Sequence, residues 1–137
     1  MSTSTAGGQA AVAHVGAFDA SAVKDVQDTL NQGAATVLTG AADAIPFPGL
    51  VMVNAAGVDA MTLATPIAGA QPAGDDGKTV TIVDLNGAAH TVTTAANKIV
   101  NAKHVATFNG TKGSNITLAA NNGVWIPIGT PLGVAIT

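Results

Sequence analysis

The triplet Gly77-Lys78-Thr79 ends as a phosphate-binding loop ends, so it is the first place in this chain to look for chemistry. A Walker A loop needs a second glycine five positions before Gly77, and that position holds Pro72. Such a loop also opens a helix whose N-terminus holds the phosphate. Thr79 instead opens an alternating, strand-like run, so a turn leading into a strand is expected here.

The three histidines, His14, His90 and His104, have no second His or carboxylate at metal-ligand spacing, so no metal site is expected. His90 and His104 fall in strand-like segments and are expected to play structural roles, with a meeting across a sheet open to them. Ser2, Ser4 and Ser21 lie near the start, and Ser114 follows Gly113 without the Gly-x-Ser-x-Gly pattern of a nucleophile elbow. Asp75 and Asp76 are adjacent in a turn and lack the alternating ligands of a calcium loop. The sequons at Asn109 and Asn115 read as coincidences in a chain rich in Asn and Thr. No nucleophile–base pair emerges, so neither catalysis nor a cofactor is expected.

Composition narrows the classes further. The 137 residues suit one domain. Charged residues make up 9% of the chain, against ~25% in an average protein. Every cation is Lys and every anion is Asp. Five scattered Lys against eight Asp do not make a nucleic-acid-binding field. The apolar run from Ile45 to Val53 contains Pro46 and Pro48 and is far shorter than the ~20 residues of a membrane span. The first cation is Lys24, so no signal peptide is expected and synthesis in the cytoplasm is. Without Cys there are no disulfides. A surface so poor in charge suggests that neighbours cover much of it, as in oligomers and assemblies.

Two regions follow from the patterning. Residues 1–34 read as an N-terminal arm with one short helix. Val23, Val26 and Leu30 follow helical spacing over 21–31, with Asp19 or Ser21 as cap and Gly33 as stop. Before them, Val12, His14, Val15 and Phe18 are the few large groups of a small-residue leader. They read as anchors on a neighbouring surface, with a passive tail as the alternative. Residues 35–137 change to a period of two. Alternation over 50–54, 60–64, 79–83, 115–119, 124–128 and 134–136 predicts half-buried strands. Val80, Ile82, Ile116, Leu118, Val124 and Ile126 are the expected core. Asn86-Gly87, Asn109-Gly110 and Asn122-Gly123 mark turns, and residues 71–78 a loop. About eight or nine strands at this spacing predict an all-β, jelly-roll-like sandwich.

The order of these segments carries a resemblance. The stretches at 44–66 (AIPFPGLVMVNAAGVDAMTLATP), 75–99 (DDGKTVTIVDLNGAAHTVTTAANKI) and 103–125 (KHVATFNGTKGSNITLAANNGVW), with the closing GVAIT, resemble the capsid decoration, or cement, proteins of tailed bacteriophages. Related modules of phage fibres look similar. The resemblance covers residues 35–137. It implies a jelly-roll-like domain on the outer surface of a virion shell, bridging neighbouring major capsid protein subunits. The alternative is a fibre or receptor-binding module that reads a bacterial surface glycan. Exposed aromatics usually line such a module, and this chain has no Tyr and one Trp.

Contacts with a sister subunit or the shell are expected at Val12, His14, Val15, Phe18 and Phe47; Trp125 is expected in the core, with a subunit interface as its alternative. A homodimer is the expected assembly, and a trimer its alternative.

Overall fold

The computed structural model describes residues 35–137. The expected helix over 21–31, and the contact residues Val12, His14, Val15 and Phe18, lie outside them. Nine strands form: β1 (Thr36–Leu38), β2 (Gly49–Val53), β3 (Ala60–Thr62), β4 (Thr79–Asp84), β5 (Thr91–Thr93), β6 (Val105–Phe108), β7 (Asn115–Asn121), β8 (Val124–Pro127) and β9 (Val134–Ile136). They build a five-stranded sheet in the order β1-β2-β4-β7-β8 and a four-stranded sheet in the order β3-β5-β6-β9. The domain is an all-β sandwich.

Alternation makes these layers. In β4, Val80, Ile82 and Asp84 point inward while Thr81 and Val83 point out. In β7, Ile116, Leu118 and Ala120 do the same, with Thr117 and Ala119 outside. The inward side chains of both sheets meet in one core with Val51, Val53, Met61, Val92, Phe108 and Trp125. Each enclosed Val, Leu or Ile contributes ~1.5–3 kcal/mol. Thr on the outer positions keeps the β-branched shape that a pleated surface favours.

The sheets are mixed. β1–β2, β2–β4 and β3–β5 are parallel, whereas β4–β7, β5–β6, β6–β9 and β7–β8 are antiparallel. The parallel pairs have a topological cause. The chain leaves the first sheet after β2, makes β3 in the second, and returns to lay β4 beside β2 in the same direction. β5 then returns to β3 in the same way. Of the three Asn-Gly turns, only Asn122-Gly123 closes a two-residue hairpin, with φ of 50° and 78° suited to a type I′ turn. Asn86-Gly87 and Asn109-Gly110 instead carry the chain between sheets.

Strand β8 corrects one expectation. Val124 and Ile126 are half-buried outer residues, and Trp125 between them is wholly enclosed. Both phases of this strand are apolar, so alternation alone does not choose. The indole is the largest apolar group available to the core. Its cross-strand partner is the small Ala120, which leaves it room.

Candidate functional site

The most elaborate polar constellation in the domain lies inside it. His90 stands just before β5 with no solvent exposure, and Asp59 and Asp84 beside it are equally enclosed. The Asp59 backbone N–H donates to His90 Nδ1 at 2.9 Å. That nitrogen therefore accepts, and the ring holds its proton on Nε2. Nε2 donates to Asn86 Oδ1 at 2.6 Å, with Asp84 Oδ1 3.3 Å away. Asp84 Oδ1 also accepts the N–H groups of Asn86 and Gly87, at 3.0 and 2.8 Å, and so shapes that turn. Asp59 Oδ1 accepts the Asp43 N–H at 3.0 Å.

This cluster joins two connections between the sheets: the 54–59 segment from β2 to β3, and the β4–β5 connection at both its 84–87 turn and its entry to β5. The burial of Asp59 raises its carboxyl pKa above the usual value, and the neighbouring Asp43 adds to the rise, although the Asp43 N–H and His90 oppose it. A substrate has no path to a ring with no exposed surface. The chemistry left to the cluster is to hold loops. Burying polar groups is tolerable when they are bonded, and here most are.

His90 and His104 do not meet. β5 and β6 pair antiparallel with Thr91 opposite Thr107. His90 therefore lies at the Phe108 end of the pair and His104 at the Thr94 end, where Thr94 N–H donates to the His104 carbonyl. His104 is exposed. The loop at 71–78 is a structural pin. Asp75 accepts the Ile67 N–H at 2.7 Å on one oxygen and Lys78 Nζ at 2.7 Å on the other. These donors, the Ile67 N–H foremost, hold its pKa below the usual value. Asp76 Oδ1 accepts the Asn122 N–H at 2.7 Å and ties the loop to the β7–β8 hairpin. The lysine of the phosphate-loop lookalike is thus occupied by its own loop. No group of three or more potential metal ligands occurs among the described residues.

Phe47 and Trp125 come together, but not as a docking pair. Their rings meet edge to face at 4.9 Å and 87°. Trp125 Nε1 donates to the Ala64 carbonyl at 3.0 Å. Of the two readings of Trp125, core and subunit interface, the structure bears out the core and corrects the interface: its ring is enclosed by its own chain. Phe47 is half-buried against the core.

The outer faces of the two sheets are extended surfaces open to recognition, and exposed apolar side chains such as Val58, Ile67 and Ile128 lie on the loops beyond them. On the five-stranded sheet, Val37, Leu50, Met52, Val83, Val124 and Ile126 face outward, with no charged side chain among the outward positions of its strands. The hydroxyls of Thr81 and Thr117 near its centre bond to each other at 2.9 Å. The face thus satisfies those polar groups within itself. The outer face of the four-stranded sheet carries Ala60, Thr62, Thr91, Thr93, Val105, Thr107 and Ala135, again without a charged side chain. Sequence reasoning did not single out Leu50, Met52 or Val83 as surface contacts. Their signal was present: apolar residues on the outer phase of strands whose inner phase is already apolar.

No helix among the described residues is long and apolar enough to cross a membrane. Neither a protein-family model nor a curated protein matches this chain.

Proposed function

We propose that this protein is a structural virion component that binds the outer surface of a bacteriophage capsid and stabilises the shell by bridging neighbouring major capsid protein subunits. The observation that carries this reading is the charge-free outer face of the five-stranded sheet, with its Thr81–Thr117 hydroxyl pair. Docking such a face strips water from few groups that need it, so its desolvation cost is low. The resemblance over residues 35–137 names the kind of surface it would meet, and a homodimer is the unit that would dock. Repetition over a closed shell multiplies a modest contact.

Among the described residues, the aromatic side chains give the glycan-reading alternative no support. Trp125 and Phe108 are enclosed, and Phe47 is half-buried against Trp125. Electron microscopy of shells mixed with the purified protein tests the proposal. Regular external density across the shell is the expected result, and Met52→Lys should thin it. Density confined to tail structures, or none, would overturn the reading.

A further inference from the structure

Among the described residues, the four-stranded sheet has one edge covered by a neighbouring segment and one edge that none of them covers. Residues 41–45 run beside β3: Ala60 and Thr62 donate to the carbonyls of Ala41 and Asp43, and Ile45 donates to Thr62. At the other edge lies β9. Thr137 and Val105 exchange both backbone hydrogen bonds, at 2.8 and 2.9 Å, and Asn109 N–H donates to the Gly133 carbonyl at 2.9 Å. The odd-numbered residues of β9 therefore face β6. In an antiparallel ladder the alternate residues point their N–H and C=O groups the other way. For β9 those residues are Val134 and Ile136, and no backbone or side-chain group among the described residues bonds to them.

Natural sheets usually guard such an edge with Lys, Pro or a bulge. β9 reads Val-Ala-Ile and has none of these. Leu132, just upstream, is 63% exposed and gives the edge an apolar flank.

We propose that β9 is a self-pairing edge, and that a second copy of this chain adds its own β9 antiparallel across a two-fold axis at Ala135. The register closes on itself. Val134 of each copy faces Ile136 of the other, and the four outward N–H and four C=O groups form four hydrogen bonds with none left over. The two Ala135 residues meet at a non-hydrogen-bonded position, where Cα atoms approach to ~4.5 Å. A small side chain suits that approach. A charged residue in this strand would face its own copy, and there is none. The union is one eight-stranded sheet, β3-β5-β6-β9 continued by the same strands of the second copy. Self-complementarity favours a second copy over an unrelated strand. The inference rests on strand geometry and not on shell attachment, so each can fail without the other.

The test uses the full chain without shells. Sedimentation velocity of the parent should show a monomer–dimer equilibrium that rises with concentration. Ala135→Asp should remove the dimer and leave the urea midpoint of the monomer unchanged, because this side chain is exposed. The chain has no native Cys, so single-cysteine variants report pairing cleanly. Ala135→Cys should oxidise to a disulfide dimer, since the approach falls within the ~4.4–6.8 Å that a disulfide spans. Thr107→Cys, one strand inward on the same face, should stay reduced under the same conditions. A parent that is monomeric up to ~1 mM overturns the proposal. So does a trimer, or a dimer that Ala135→Asp leaves intact, which would place the contact on another surface.

Discussion

The backbone N–H of Asp59 donates to Nδ1 of His90 across 2.9 Å, between residues 31 apart in sequence and both closed to solvent. This bond ties the start of β3 to the start of β5, two strands that lie parallel in one sheet. It also fixes which ring nitrogen carries the proton, and so which groups His90 can serve on its other side.

Replacing His90 removes several bonds at once. His90→Ala should lower stability by ~3 kcal/mol or more, because the Asp59 N–H and the Asn86 side chain lose their partner inside the protein. His90→Phe restores ring volume but no hydrogen bonds, and should remain well below the parent. Urea unfolding at neutral pH measures both. A His90→Phe variant as stable as the parent would show that the ring serves only to fill space.

The Asp59 carboxyl gives stability a specific pH dependence. Its pKa is raised by burial, so the folded chain binds this proton more tightly than the unfolded chain does. Between the unfolded value of about 3.8 and the raised one, stability from this group falls as pH rises. At neutral pH the buried charge, with Oδ2 unbonded among the described residues, is a net cost. Asp59→Asn keeps an acceptor for the Asp43 N–H and removes the charge. Its urea midpoint should exceed the parent's at pH 7, and the gap should close below pH ~3.8.

Asp75 acts in the opposite sense. Its pKa is lowered by the Ile67 N–H and by Lys78, so its contribution is present above the ordinary Asp range and is lost as pH falls through the lowered value. Asp75→Asn should cost stability at pH 7 and little in strong acid. Comparing midpoints at the two pH values separates this loop pin from Asp59, whose variant moves the other way.

Gly74 permits a close approach that no other residue allows. A Cβ there would collide with the Gly69 backbone carbonyl, a rigid group. Gly74→Ala should destabilise the domain by more than ~1 kcal/mol, read as a lower thermal midpoint. Gly57→Ala is the control, since a Cβ at Gly57 meets nothing within 4 Å.

Trp125, the sole Trp, reports its own environment. Its emission should be blue-shifted in the free protein and unchanged on shell binding, since the ring is already enclosed. Trp125→Ala should cost ~3–5 kcal/mol. Shell occupancy of the parent should fall only weakly from low to high salt, because the proposed docking face has no charges to screen.

Period-two alternation, Thr on outer positions and Asn-Gly punctuation are local properties, and they determined an all-β domain of about eight or nine strands, against the nine of residues 35–137. β2, β4, β7, β8 and β9 are legible from these signals, and Asn122-Gly123 announces its hairpin. β1 is three residues long and carries no alternation to read. Direction and partnership were not legible, because a strand shows the same period of two whether its neighbour runs parallel or antiparallel. The return of the chain from one sheet to the other therefore had to be seen before β2 could be placed beside β4. The phase of β8 depended on Ala120 across the ladder. His90 and Asp59 met only because β3 and β5 became neighbours. The edge position of β9 is likewise a property of the finished sheet: Val134, Ala135 and Ile136 read as any buried strand until the tertiary fold leaves their outward backbone groups without a partner among the described residues.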